Sequence, residues 1–443
     1  DLAALYDTYE RMPSEKYVSP EIMLKIMLYA YHEGKEISSR TIEKNCKRDI
    51  NYMYLLEGRQ APDHAAIARF RTKHFGKCAN LFLSQMTKIL LELKQLTKTE
   101  VFIDGTKIEA SANKYTFVWK KAVTKHQEKH LRKTALLVGD IIERYGCKPL
   151  WRKQVKKKHV KKLLKQLKIE AEKRELEFVS GRGHRKQQLQ KDIEDLEAAL
   201  QKLKEYETKL HRCGARNSYS KTDHDATFMH MKEDHMMNGQ LKPAYNIQHA
   251  VNSGFIVAAK VFPNPTDVMT LKPFMEQMEA SLQFQFERVV ADAGYESEEN
   301  LVYLRDKGIE AYIKPSNYEQ IGTKKFEKEI GRKENMQYDQ AGDYYICHNG
   351  KRVEKTGVKT RKTASGYLRE ETHYECKDCS GCLCKEKCLA GKNWKKPLEE
   401  RNKKLTVSRL FEEMREEEYR LINSEEGKKL RMNRSIQAEG GFA

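Results

Sequence analysis

The chain has 443 residues, with 83 Lys and Arg against 64 Asp and Glu, and a formal net charge of +19. Its content of 39% hydrophobic and 9% aromatic residues suffices for packed cores and excludes a wholly disordered protein. No apolar run approaches the roughly 18 residues that a membrane span needs, and no signal peptide is visible, so we expect a cytoplasmic protein without membrane contact. The positive surplus favours a polyanion as partner, most simply nucleic acid.

Residues 1–95 are predicted to be helical. Ser19 and Pro20 form a helix start, a second helix begins at the Ser38 cap, and a third covers residues 63–75. The third helix carries Arg69 and Arg71. Three short helices with basic residues on the last are typical of a helix-turn-helix DNA reader, which makes residues 1–95 a candidate DNA-binding domain. A plain helical bundle is the alternative.

A helical arm is predicted to interrupt the next domain over residues 116–222. Residues 100–104 form a short apolar strand that ends in Asp104, and long helices follow. Heptad seams run through residues 160–171 and 189–210, and a turn is predicted at residues 180–183 between them. The two helices should therefore form an antiparallel hairpin.

The first helix of this arm is strongly basic. Residues 152–168 contain nine Lys or Arg and no acidic residue. A solvated surface, pairing between protomers and DNA contact all remain open for this charge. For the DNA alternative the candidate residues are Lys156, Lys157, Lys158, Lys161 and Lys162.

The remaining elements predict an α+β fold with a mixed sheet. Residues 243–262 form two strands around a turn at 252–254, and a helix follows over 266–282. Residues 288–294 form a buried strand that ends in Asp292, followed by a helix over 297–308 and a strand over 309–315. A sheet whose strands end in acids fits a ribonuclease H-like catalytic domain over residues 96–443, with a second, cysteine-rich insertion over 316–425.

Three acids are candidates for metal-dependent chemistry. Phosphoryl transfer on a DNA backbone uses two divalent ions, and Mg²⁺ or Mn²⁺ prefers carboxylate oxygens as ligands. Asp104 and Asp292 end neighbouring strands, and Glu439 lies on the last helix. Each acid alone has a simpler interpretation as a turn former or a solvated side chain. The ordered set on a basic chain favours a catalytic centre.

These residues lie in sequence motifs that resemble those of the DDE transposases of bacterial insertion sequences. The motifs include "PDHAAIARFR", "FIDGTKIEASANKYTF", "VVADAGYESEENL" and "MNRSIQAEGGF". The resemblance implies Asp104, Asp292 and Glu439 as catalytic and metal-binding acids, with Arg434 as the helical companion of Glu439. It also implies recognition of terminal inverted repeats, cleavage and strand transfer on double-stranded DNA at the bacterial nucleoid, and a homodimer in the active complex.

Two other functions stay open at this stage. One is a DNA-binding protein derived from a transposase, with an inactive centre. The other is a nuclease of the same fold that does not transpose DNA. Metal-dependent strand transfer on an end sequence separates the transposase from the inactive derivative, and strand joining beyond nicking separates it from the nuclease.

Five of the ten cysteines lie within 13 residues, which is not the spread of a disulfide scaffold. Cys376, Cys379, Cys382 and Cys388 have a spacing that can enclose a tetrahedral Zn²⁺, with a structural role in the polar insertion. Metal-free thiols and an iron–sulfur cluster are the alternatives, although the spacing departs from the usual cluster motif.

Overall fold

The computed structural model describes residues 1–10, 18–34, 37–148, 155–180, 185–231, 239–389 and 396–439, with only the backbone of Glu439. The chain divides into two compact units. The first comprises residues 1–105, 248–260 and 267–443, and the second comprises residues 106–247 and 261–266. Within the described residues, no helix has the length and apolar character needed to cross a membrane.

The first unit begins with six α-helices, as the sequence predicts for this region. They are α1 (Ala3–Tyr6), α2 (Pro20–His32), α3 (Ser39–Arg48), α4 (Ile50–Leu55), α5 (His64–Arg69) and α6 (Gly76–Glu92). The side chains of Ser19, Ser38 and Asp63 accept backbone N–H bonds at the starts of α2, α3 and α5. A π-helical segment, Phe70–Phe75, joins α5 to α6, so the predicted third helix continues without a break. These helices enclose one apolar core.

The first strand, β1 (Glu100–Glu109), is longer than predicted and does not end at Asp104. Residues at the end of β1 contact the segment around Pro243: Ala110 N–H donates to the Pro243 carbonyl, and Lys242 forms an ion pair with Glu109. The pairing of the later residues belongs to the second unit, and it was not visible in the local sequence.

The second unit holds the inserted arm, which contains three long helices. Its elements are β2 (Phe117–Trp119), α7 (Lys120–Tyr145), α8 (Lys157–Lys173), α9 (Gln188–Cys213), β3 (Ser218–Ser220) and β4 (Thr227–His230). The apolar seam of α8 packs against that of α9 as predicted, and Val138 and Ile141 of α7 join the same core. The predicted turn at 180–183 lies mostly outside the described residues. The arm is therefore the expected hairpin with a third helix added.

The mixed sheet follows the predicted order of strands and helices. Its later elements are β5 (Leu241–Asn252), β6 (Phe255–Phe262), α10 (Leu271–Leu282), β7 (Arg288–Ala291), α11 (Glu298–Asp306) and β8 (Glu310–Ile313). β5, β1, β7 and β8 are neighbours in that order, and β6 pairs with β5. β1 and β7 are parallel, as are β7 and β8. The turn between β5 and β6 falls at Ser253 and Gly254, both with positive φ, as the sequence predicts.

The remaining residues add a second sheet and the C-terminal helices. These elements are α12 (Lys324–Glu327), β9 (Gln337–Asp339), β10 (Tyr344–Ile346), β11 (Arg352–Lys362), β12 (Leu368–Glu375), α13 (Lys385–Cys388), β13 (Lys404–Val407), α14 (Arg409–Asn423) and α15 (Glu425–Arg434). The sheet is antiparallel in the order β13-β12-β11-β10-β9. A π-helical segment, Ser435–Glu439, follows α15. The α+β class with a mixed sheet, an N-terminal helical region and an inserted arm is thus confirmed.

Candidate active site

Asp104 lies within β1, and Asp292 directly follows β7, the parallel neighbour of β1. The register of the two strands pairs Phe102 with Val290, so two residues further along each segment bring Asp104 level with Asp292. Side chains alternate along a strand, which places each aspartate on the same face as the apolar residue two positions before it. That face packs against Leu430 of α15 and against Ala438. Both carboxylates therefore point towards the C-terminal helix.

Arg434, the last residue of α15, contacts both carboxylates. One of its terminal nitrogens donates to Asp104 Oδ1 at 3.2 Å and lies 3.8 Å from Asp292 Oδ2. The two oxygens are therefore at most 7.0 Å apart, the sum of 3.2 Å and 3.8 Å. The helical companion expected from the sequence thus joins two strands that are separated from it by more than a hundred residues.

The two carboxylates differ in exposure. The Asp104 side chain is 5% exposed, whereas that of Asp292 is 40% exposed. Partial burial raises the pKa of Asp292, while the positive Arg434 and the Gly294 N–H oppose that rise. The nearby charges of Asp104 and Asp267 raise the same pKa further. Burial and the neighbouring carboxylates thus both disfavour the charged form of Asp292, and a bound cation would stabilise that form.

The backbone that leads to Glu439 is anchored beside these acids. The buried His249 of β5 forms a hydrogen bond with the Ala438 carbonyl at 3.2 Å, and Gly254 N–H donates to Gln437 Oε1 at 3.1 Å. Ala438 itself is fully buried. Glu439 ends the π-helical segment, and its side chain lies outside the described residues. Its predicted role as third acid therefore stays a prediction.

The donor chemistry fits a divalent cation, although the described side chains do not complete a cage. Asp104 and Asp292 supply hard carboxylate oxygens, the ligands that Mg²⁺ and Mn²⁺ prefer. Among the described side chains, no group of three or more His, Cys, Asp or Glu is arranged to hold a metal ion. Two carboxylates plus water are compatible with Mg²⁺, which usually keeps several waters.

Sequence reasoning missed three polar residues next to these acids. Asp267 accepts a hydrogen bond from Gln248 Nε2 at 2.9 Å, and the buried Tyr295 hydroxyl donates to Gln248 Oε1. The sequence predicts one helix over residues 266–282, in which Asp267 is an ordinary first-turn residue. In the structure Asp267 opens a short 3₁₀ segment, and α10 starts only at Leu271. Tyr295 was visible in the motif "VVADAGYESEENL", but nothing local linked it to Gln248.

The predicted DNA-binding residues are at the surface of their own elements. In the first unit, Arg69 is exposed and lines a groove together with Lys73 and Lys77. Arg71 is half-buried. In the second unit, Lys156, Lys158, Lys161 and Lys162 are exposed, while Lys157 forms an ion pair with Glu207 of α9. Nothing in these positions tests DNA contact, which stays a prediction.

The structure does not support the predicted zinc site. Cys376 and Cys379 belong to the apolar core of the second sheet, and Cys347 and Cys388 pack against it. None of the ten cysteines, all within the described residues, is in a disulfide. Burial, together with the neighbouring Cys379 thiol, raises the pKa of Cys376 to about 11 in the metal-free protein. Among the described side chains, these cysteines do not form a group of three or more ligands arranged to hold a metal ion.

Comparison with known protein families gave three matches. Models described as "Transposase DDE domain" match residues 216–383 and 346–443, and a model described as "Transposase domain (DUF772)" matches residues 1–73. The first two ranges contain Asp292 and Arg434, whereas Asp104 lies outside all three. No curated protein and no solved structure matched the chain.

Proposed function

The chain belongs to the DDE transposases of insertion sequences, and we propose that it cleaves DNA at terminal inverted repeats and joins the freed ends to target DNA. Asp104, Asp292 and Glu439 are the proposed catalytic acids. The observation that carries this proposal is the contact of Arg434 with both Asp104 and Asp292. The contact brings two carboxylates and one guanidinium to one end of the parallel strands β1 and β7, an arrangement typical of a catalytic centre.

The proposed reaction has two phosphoryl transfers at one centre. Water attacks the phosphorus at the element end, and the 3′ oxygen leaves with a proton as a 3′-hydroxyl. That hydroxyl then attacks a target phosphodiester, whose own 3′ oxygen leaves. Divalent cations, when bound, would lower the pKa of the attacking group and stabilise the leaving oxygen.

The chain's own residues prepare the centre for these steps. The rigid parallel pairing of β1 and β7 keeps Asp104 and Asp292 level with each other. Arg434 lies beside both carboxylates, and its positive charge offsets part of their mutual repulsion. The hydrogen bond between His249 and the Ala438 carbonyl anchors the backbone of the segment Ser435–Glu439, which carries the third proposed acid.

DNA binding is proposed to use surfaces outside this centre. Arg69 and Arg71 belong to the N-terminal helical domain, residues 1–95, which is proposed to read the inverted repeats. The arm lysines would contact phosphates without reading sequence. We propose that two chains act together in the active complex, because an element has two ends to cut.

The test compares Asp104→Asn and Asp292→Asn with the wild-type chain on DNA that carries the element's inverted repeats. Both variants should bind the ends normally and lose metal-dependent cleavage by at least about 10³-fold, because each loses a charged ligand and not a DNA contact. Asp306→Asn, which removes an exposed charge at the end of α11, is the matched control and should cleave normally.

The other functions predict different results. Normal cleavage by either Asn variant would remove these acids from the centre. A wild-type chain that binds ends but never cleaves them with Mg²⁺ or Mn²⁺ would be an inactive derivative. Nicking without any joined product would indicate a nuclease.

A further inference from the structure

A third carboxylate, Asp267, lies between the backbones that follow the two proposed catalytic aspartates. A Cβ atom added to Gly105, directly after Asp104, would collide with the Gln248 side chain and lie 3.0 Å from Asp267 Oδ1. A Cβ atom on Gly294, two residues after Asp292, would lie 3.4 Å from Asp267 Oδ2. The two oxygens of one carboxylate thus face two different glycines, and at Gly105 a side chain would have to displace Gln248 from its position beside Asp267.

Asp267 is also the end of a hydrogen-bonded chain that reaches the Asp292 turn. The Tyr295 hydroxyl donates to Gln248 Oε1, and Gln248 Nε2 donates to Asp267 Oδ1 at 2.9 Å. Tyr295 and Gln248 are both fully buried. Tyr295 closes the short 3₁₀ turn that Asp292 caps through its bond to Gly294 N–H. These hydrogen bonds hold the turn that follows β7 against Gln248 of β5.

The charge of Asp267 acts on the same centre. It raises the pKa of Asp292, and it is the strongest of the neighbouring charges that raise the pKa of the buried Tyr295. Asp292 Oδ1 and Asp267 Oδ2 are at most 6.3 Å apart, because a Cβ atom on Gly294 would lie 2.9 Å from the first and 3.4 Å from the second. A negative charge at this distance favours any cation that binds Asp292.

We propose that Asp267 is a positioning residue of the transposase centre, which fixes the backbones of Asp104 and Asp292 and adds negative charge to their cation site. This inference rests on the proposed function. Two consequences follow from it. The hydrogen-bonded chain controls the rate of cleavage through geometry, and the charge of Asp267 controls the affinity for the divalent ion.

Two variants separate these consequences. Asp267→Asn keeps an oxygen that can accept from Gln248 but removes the charge, whereas Tyr295→Phe breaks the chain and leaves every charge in place. The matched control is Asp306→Asn. Mn²⁺ binding to the whole chain without DNA is measured by titration calorimetry, and thermal unfolding is followed in chelator and in Mn²⁺.

Asp267→Asn should weaken Mn²⁺ binding by about tenfold, in the range found for residues that support metal ligands. Its thermal unfolding temperature in chelator should equal or exceed that of the wild type, because one of the three mutually repelling carboxylates is neutralised. The rise in unfolding temperature on adding Mn²⁺ should be smaller than in the wild type. Tyr295→Phe should bind Mn²⁺ as the wild type does and cleave about tenfold more slowly at saturating metal. Asp306→Asn should match the wild type in every measurement.

A lower midpoint in chelator for Asp267→Asn, with unchanged Mn²⁺ affinity, would mean that Asp267 is only structural and would overturn the inference. Wild-type cleavage by Tyr295→Phe would also overturn the positioning role. The proposed function is judged separately, because Asp292→Asn must abolish cleavage whatever Asp267→Asn does.

Discussion

Glu418 of α14 shows how a single buried acid affects this fold outside the proposed centre. Its side chain is 7% exposed, and its Oε2 accepts the N–H of Ile313, the last residue of β8, at 3.0 Å. Burial, with smaller contributions from Glu417, Glu296 and Glu310, raises its pKa from 4.5 to about 8, although the bond from Ile313 opposes the rise. The folded protein therefore holds a proton on Glu418 that the unfolded chain releases at lower pH.

This shift predicts a stability that falls with rising pH. A raised pKa in the folded state contributes stability below pH 4.5, and the contribution is lost as pH rises from 4.5 to about 8. The loss has a slope of up to about 1.4 kcal/mol per pH unit. Glu418→Gln keeps an acceptor for Ile313 N–H and cannot ionise, so its unfolding midpoint in urea should change less between pH 5 and pH 8 than that of the wild type.

The control for this prediction is Glu416→Gln, which removes an exposed carboxylate from the same helix. It should keep the pH dependence of the wild type. Equal pH dependence in the wild type and Glu418→Gln would show that Glu418 does not hold its proton in the folded protein.

At the scale of elements, the arm has one apolar surface and one basic surface. Val160, Leu163 and Leu167 of α8 pack into the arm core. Arg144 of α7 donates two hydrogen bonds to the buried Asp192 of α9, at 2.6 Å and 2.7 Å, and fixes these two helices together. The apolar side of α8 is therefore already occupied, and its lysines remain on the outside.

We predict that these lysines bind DNA phosphates. Replacing Lys156, Lys158, Lys161 and Lys162 by Gln should weaken binding to specific and random DNA by similar factors, because phosphate contacts carry no sequence information. The log–log salt slope should become shallower by up to about 0.9 per lost contact. Affinity is measured by fluorescence anisotropy over a range of salt, and cleavage at saturating DNA should persist.

The matched control replaces four exposed or half-exposed lysines of α9, namely Lys191, Lys202, Lys204 and Lys209. These lysines lie among acidic residues such as Glu205, so their loss should change the salt slope less. If the α8 variant binds DNA normally but changes its oligomeric state, the basic surface pairs protomers.

At the scale of the whole molecule, the charge of +19 determines how chains meet. Two such chains repel each other at low salt, and the repulsion falls when DNA phosphates neutralise their Lys and Arg. We therefore predict one chain per particle in the free protein and two chains with two end fragments in the DNA complex. Light scattering after size exclusion measures both masses.

Random DNA of the same length serves as the comparison and should not yield the complex of two chains and two fragments. A stable dimer without DNA would show that an interface between chains outweighs the repulsion. A complex of one chain that performs strand transfer would contradict the proposed dimer.

The sequence alone predicted features that depend on short-range chemistry. The caps Ser19, Ser38 and Asp63 were readable because a cap bonds to residues two or three positions away. The order of strands and helices was readable from apolar periodicity, and so was the seam of the arm. Asp104 and Asp292 were predicted as acids at the ends of neighbouring strands, whereas Arg434 was expected only as the companion of Glu439, and its contact with both aspartates was not predicted.

Tertiary structure alone decided what depends on distant partners. The extension of β1 to Glu109 needs Pro243 and Lys242, and the packing of α7 in the arm needs the seams of α8 and α9. Asp267 reaches the centre through its bond with Gln248 and its approach to Gly105 of β1 and to Gly294 of the turn after β7. Such contacts depend on how the strands are ordered in the sheet, which no local pattern encodes. The spacing of the cysteines, conversely, predicted a zinc site, but among the described side chains no group of three or more ligands is arranged to hold a metal ion.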